Sequence, residues 1–245
     1  MKILSWSRIA AAFIVSLAFI LVPPPTPAAA GDARWSEVPL PQTGTAGGWM
    51  LSPGTDVIQL AADNDNRIYA WVTGTESGLY HTDRHAEQFT RLYSSTDIPT
   101  ALEISAGGNI YYATATDVFR SVDAGQSFQP FASQPGGPDR YITALDIHSR
   151  TDTELIAVSV SAASPGQWGG VYLYDESDFF GSWMDAGLGS LNALDIRFTS
   201  DFDTDRTLLA LATDGTDTFI MNFRGGNWQA TTLQNDAGTG VAAES

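Results

Sequence analysis

Three histidines and two acid-rich loops are the residues of this chain whose types could hold a metal. They are His81, His85 and His148, with "DNDN" at Asp63–Asn66 and "DFDTD" at Asp201–Asp205. Two histidines four apart suit a metal when both project from one helix face. His81 and His85 fall on a strand end and the turn after it, so that spacing does not converge, and surface positions are expected. Calcium takes several oxygen ligands, and an EF-hand loop opening at Asp201 would need glycine at its sixth position and glutamate at its twelfth. Arg206 and Ala212 stand there. Both acidic loops lie between short β-like runs and are expected to be Asx-rich hairpin turns. The chain has no cysteine, which rules out thiolate metal sites and a cysteine nucleophile. No G-x-S-x-G elbow, Gly-rich phosphate loop or zinc helix occurs. The sequence therefore assigns no catalytic residue, no metal ligand and no cofactor.

Binding chemistry is better represented. Three long loops, Gln42–Thr55, Ala132–Tyr141 and Ser161–Gly170, carry Trp49, Arg140, Tyr141, Gln167 and Trp168. Aromatic side chains beside an arginine suit the recognition of a protein or a sugar, and long loops are where such residues concentrate. The competing expectation is that Trp49 and Trp168 plug their loops onto the sheets beneath.

The elements that must position these loops follow from an internal repeat. "DVIQLAADNDNRIYAWV" from Asp56, "PTALEISAGGNIYYAT" from Pro99, "ITALDIHSRTDTELIAV" from Ile142 and "LNALDIRFTSDFDTDRTLLAL" from Leu191 share one frame. Their apolar tetrads start at Val57, Ala101, Ala144 and Ala193, which are 44, 43 and 49 residues apart. That period is the size of a four-stranded β-propeller blade. Each unit divides into four short β-rich runs separated by Gly, Asp, Asn and Ser clusters. In the second unit the runs are Leu102–Ile104, Ile110–Ala113, Val118–Ser121 and Phe128–Phe131. The expected class is all-β, a propeller of four-stranded antiparallel blades with four complete units. They would close as a small ring, or belong to a partial or open propeller completed by further chain or by self-association. In such a fold the loops between second and third strands share one face with the loops between blades. Three regions are delimited: a signal peptide over 1–30, an N-terminal strand and linker over 31–55, and blades over 56–245.

The turn between the third and fourth strands of unit two is "SVDAGQSF", Ser121–Phe128. Asp123 can accept hydrogen bonds from backbone N–H groups of its own turn. Gly125 permits a positive φ, Ser121 can cap the turn, and Phe128 can bury its ring. The pattern S-x-D-x-G-x-x-[W/F] resembles the Asp-box, or BNR repeat, of sialidases, sortilin-type receptors and secreted bacterial propellers. Worn copies stand at His81–Phe89, Tyr174–Trp183 and Met221–Trp228. In this family the motif is a turn clamp and not a reaction centre. Sialidase activity, as the family implies, needs an arginine triad, a nucleophilic tyrosine with a glutamate, and an acid aspartate. No such pattern is visible among the eleven arginines, and the family's Arg-Ile-Pro is absent.

The first thirty residues have the form of an export signal: Lys2 and Arg8, the apolar run Ile9–Val22, and a small-residue cleavage site at Ala28-x-Ala30. Cleavage would leave no membrane-inserted segment and place the protein outside the cytoplasm, secreted or at the envelope. Loss of Lys2 and Arg8 takes the formal charge from −16 to −18. Nucleic-acid binding needs clustered positive charge, and none is present. Three functions fit: an exported, non-catalytic module binding a protein or glycan, a glycoside hydrolase or lyase, and an assembly or stability factor for an envelope complex.

Overall fold

A computed structural model describes residues 54–82, 89–132, 135–178 and 181–231. The expected leader, the N-terminal strand and linker as far as residue 53, Trp49, His85 and the tail beyond 231 lie outside the described residues. Blade 1 holds β1 (Thr55–Ala62), β2 (Ile68–Gly74), β3 (Gly78–Thr82) and β4 (Phe89–Ser94). Blade 2 holds β5 (Ala101–Ile104), β6 (Ile110–Ala113), β7 (Val118–Ser121) and β8 (Gln129–Ala132). Blade 3 holds β9 (Arg140–Ser149), β10 (Glu154–Ala162), β11 (Gly170–Asp175) and β12 (Met184–Asp185). Blade 4 holds β13 (Asn192–Phe198), β14 (Leu208–Thr213), β15 (Thr218–Arg224) and β16 (Asn227–Thr231), with one helical turn, α1 (Phe202–Asp205), between β13 and β14. Each blade is a separate antiparallel meander in chain order. The first strands of successive blades are neighbours: β1 lies beside β5, β5 beside β9, and β9 beside β13.

Successive side chains of a strand point to opposite faces, so each blade has a trailing face toward the blade before it and a leading face toward the blade after it. Tyr69, Trp71 and Leu79 on blade 1 meet Leu102, Ile110, Tyr112 and Phe128 on blade 2. Tyr111, Ala113 and Val118 on blade 2 meet Ile142, Leu145, Ile156, Val158 and Val160 on blade 3. Leu155, Ala157, Val171 and Leu173 on blade 3 meet Ala193, Ile196, Leu208, Ala210 and Ala212 on blade 4. The second strands of blades 2 and 3 are buried on both faces. That explains why "LIAVSV" shows no alternation of apolar and polar residues.

These three seams are the apolar clusters of the described residues, and none joins blade 4 to blade 1. On the leading face of blade 4, Leu209 and Leu211 are 39% and 37% exposed, whereas Ala157 and Ser159, at the same register positions of blade 3, are fully buried. On the trailing face of blade 1, Leu60 is 64% exposed, whereas its counterparts Leu102, Leu145 and Ile196 are buried, although Ala70 and Val72 on the same face of blade 1 are covered. Among the described residues the four blades form an open arc, with no described blade over the leading face of blade 4, which corresponds to the open alternative and not to the closed ring.

The acidic loops differ from each other. Asp63 makes the expected hairpin turn: its Oδ1 accepts N–H bonds from Asp65 and Arg67, both at 2.9 Å, and its Oδ2 pairs with Arg67. The Asp201–Asp205 loop is instead the helical turn α1, because Phe202 anchors it by burying its ring against Phe198 and His148. His148 also departs from a surface position. Its side chain is largely covered and Nε2 lies 2.9 Å from Asp203 Oδ1.

Candidate functional site

Two of the three expected loops converge at the seam of blades 2 and 3. The connection before β9 and the β10–β11 loop are tied backbone to backbone, with Ala163 N donating to Asp139 O at 2.9 Å. Arg140 then clamps them. Its Nε donates to the Trp168 carbonyl at 2.9 Å, and one Nη to the carbonyl of Gly136. Asn192, from the start of blade 4, fixes the far side of the same loop: its Oδ1 accepts Ala162 N and Gly169 N, both at 2.9 Å. Gly169 is a position only glycine can fill, since a Cβ there would lie 1.9 Å from the Val160 carbonyl oxygen. The backbone on either side of Trp168 is thereby held from blades 3 and 4.

The result is a cleft of about 480 Å³ lined by Arg140, Gly166, Gln167, Trp168, Gly169, Tyr172, Asp185 and Gly189. Gln167 is exposed and Trp168 half-buried, so neither is a plug sealed into the blade. Tyr172 and Asp185 face each other across the β11–β12 ladder. Burial, and then the Asp185 carboxylate, hold the Tyr172 phenol above its ordinary pKa, so it stays a neutral O–H donor. Of the five expected residues, Arg140, Gln167 and Trp168 are brought together. Tyr141 is exposed on β9 but does not line the cleft, because neighbouring strand residues point to opposite faces. Trp49 lies outside the described residues. Tyr172, Asp185 and Asn192 escaped sequence reasoning, since nothing local marks a strand tyrosine or a single Asn as belonging to a loop two elements away. An indole, an amide, a phenol, a carboxylate and a guanidinium around one cleft are groups that can bind and orient a polar ligand.

A second concavity, of about 290 Å³, lies where the first strands of all four blades meet, with Gln59, Thr100, Glu103, Leu145, Asp195 and Arg197 in its wall. Arg197 Nη1 pairs with Glu103 and stands 3.6 Å from Asp146 Oδ1, and Arg197 Nη2 lies 3.9 Å from Asp195. The register makes Glu103, Asp146 and Arg197 the same position in blades 2, 3 and 4. Burial pushes the carboxyls of Glu103 and Asp146 upward against the pull of Arg197 and, for Asp146, of the Phe198 N–H at 2.6 Å. Among the described residues no group of three or more His, Cys, Asp or Glu is placed to hold a metal ion.

The Ser121–Phe128 turn is a clamp, as its residue types implied. Asp123 Oδ1 accepts Gln126 N at 3.1 Å and Ser127 N at 2.9 Å, Ser121 Oγ accepts Gly125 N at 2.8 Å, and Gly125 has φ +85°. Hydrogen bonds from Ser127 foremost, and from Ser121, lower the Asp123 carboxyl to about 2. The worn copy at Met221–Trp228 is not such a clamp. It is a two-residue hairpin, with Arg224 paired to Asn227 and both Gly225 and Gly226 at positive φ. The copy at Tyr174–Trp183 keeps an Asx turn, in which Asp175 Oδ1 accepts Ser177 N at 2.9 Å. Most of the copy at His81–Phe89 lies outside the described residues.

No protein-family model and no curated protein matches the sequence. Among solved structures, the chain is similar to an ancestral GH74 enzyme, with TM-score 0.51 and 15% identity over 77% of this chain and 26% of that one. YCF48 from Cyanidioschyzon merolae aligns with TM-score 0.48 and 15% identity over 79% of this chain and 61% of that one. A structure of YCF48 bound to D1 peptide aligns with TM-score 0.47 and 12% identity over 82% and 58% of the two chains. The chain therefore spans about three fifths of the length of the YCF48 chains and about a quarter of the GH74 chain. At such identities a likeness carries the fold and no activity. The fold so shown is a four-bladed, antiparallel, propeller-like arrangement.

Proposed function

We propose that the chain is an exported, non-catalytic binding module of the Asp-box type, and that the cleft at the seam of blades 2 and 3 takes a glycan or an extended polypeptide segment. The single observation that carries this is the convergence of Arg140, Gln167 and Trp168 on one cleft whose two loops are locked to each other and to blade 4. A rigid aromatic face loses little entropy on binding, and the polar groups around it supply orientation. The clamp at Ser121–Phe128 supports the Asp-box assignment. A polypeptide occupant would make the module an adaptor or assembly factor at the envelope. The test is binding to a glycan array and to a peptide library, with wild type beside Trp168→Ala. The indole is half-exposed, so the variant should melt with the wild type while its binding weakens at least about tenfold. Unchanged binding by the variant contradicts this site.

One observation favours a second reading. Glu103 and Asp146 share an arginine in the axial concavity, both are pushed toward the neutral form, and a pair of carboxyls is the machinery of glycoside hydrolysis. Turnover of an oligosaccharide library that is abolished by Glu103→Gln, with the fold intact, would replace the binding-module proposal. No turnover in wild type would remove the second reading.

A further inference from the structure

The polar groups of the cleft between blades 2 and 3 divide into those spent on the scaffold and those left to a ligand. Of the residues lining it, Arg140 is the one cation, and its Nε and one Nη are given to the carbonyls of Trp168 and Gly136. Asp185 is the one carboxylate. Its Oδ1 accepts the Gly187 N–H at 2.8 Å, and its Oδ2 has no hydrogen-bond partner among the described residues. The Tyr172 hydroxyl, the Gln167 amide and the Trp168 indole N–H have none there either. Gly136 makes room for the phenol, since a Cβ there would lie 2.8 Å from Tyr172 Oη. The groups on offer are therefore one anionic acceptor, three uncharged donors and one aromatic face. A sugar hydroxyl both donates and accepts, so it suits a carboxylate oxygen beside an O–H or N–H donor. A pyranose ring adds a C–H face for the indole. A carboxylated or phosphorylated ligand would instead meet Asp185 in a chain of net charge −16, with the cleft's cation already turned to backbone carbonyls. An extended peptide adds to a sheet along a run of unpaired strand edge, and β12, the outer strand of blade 3, is only two residues long. Resting on the reading of this cleft as a binding site, we propose that its ligand is a neutral hexose glycan. Asp185 and Tyr172 select it by taking and giving hydrogen bonds to its hydroxyls, and sugars bearing a carboxylate are excluded.

Calorimetric titration tests this, with maltohexaose, cellohexaose and mannohexaose as neutral probes, a galacturonate oligomer as the acidic one and a lysine-containing hexapeptide as the polypeptide one. The expected result is that at least one neutral oligosaccharide binds and that the acidic oligomer and the peptide do not. Asp185→Asn keeps an oxygen for the Gly187 N–H, and Tyr172→Phe keeps the ring, so both variants should melt with the wild type. Each should raise the dissociation constant of the neutral sugar by at least about tenfold. Galacturonate bound more tightly than every neutral probe overturns the neutral class, and so does binding of the peptide alone. In either case the cleft still stands as a site if Trp168→Ala removes that binding. A neutral sugar bound unchanged by Trp168→Ala overturns the cleft itself. One weakened by Trp168→Ala but by neither Asp185→Asn nor Tyr172→Phe overturns the selecting pair. No binding of any neutral probe overturns the proposal.

Discussion

At Asp123 a single carboxylate organises an exposed turn. It takes two backbone N–H bonds and a bond from each of two serines. Its folded pKa of about 2 lies below the ordinary value near 4. A carboxyl depressed on folding contributes stability that is fully present above its unfolded pKa and is lost as pH falls through its folded one. Asp123→Ala should therefore lower the melting temperature at pH 7, and the gap between variant and wild type should shrink as pH is taken from about 5 toward 2. Thermal melts at both ends of that range check this, and a gap independent of pH would remove the carboxylate from the argument. This turn was legible because its four residues do their work within eight positions of sequence. The cleft was legible only in part. Arg140, Gln167 and Trp168 announced themselves as unusual loop residues, whereas Asn192 acts across 23 residues and a blade boundary through one amide oxygen. No local pattern encodes that.

Among elements, all sixteen strands stand where β-rich runs between turn clusters put them, and two of the second unit, Ile110–Ala113 and Val118–Ser121, match to the residue. The repeat frame is displaced, however. Alignment of "ALDI" at Ala144 with "ALDI" at Ala193 sets Leu145 against Leu194, while the register sets Leu145 with Ile196, two residues on. Bulges at Thr143 and Leu194 absorb the difference. An even displacement leaves every side chain on the same face, so the alternating pattern gives no warning of it. The aromatic after each third-strand turn also has a wider reach than one sheet. Phe128, Trp183 and Trp228 each pack in the seam with the preceding blade, and Trp228 Nε1 donates to Ala186 O at 2.8 Å. Phe128→Ala should then cost about 3–5 kcal/mol. Phe89→Ala, at the corresponding position of blade 1 with no preceding seam, should cost less than half as much. Urea unfolding of the two variants checks this, and equal losses would contradict the seam role.

For the whole molecule, the count of blades was in the sequence but their closure was not. Period and strand number repeat within each unit, whereas closure depends on a surface between the first unit and the last, which no repeat contains. The account rests on an arc whose leading end is uncovered, and the absence of any native cysteine allows a direct measurement. A single thiol introduced by Leu211→Cys is compared with one introduced by Ser159→Cys, the same register position one blade earlier. Both are labelled with a maleimide at a dilution where sedimentation shows only monomer. The arc predicts rapid labelling at 211 and protection at 159, and the protection at 159 should disappear in denaturant. Equal protection at both sites in the monomer would mean that blade 4 is covered within the chain, and the open arc would be wrong.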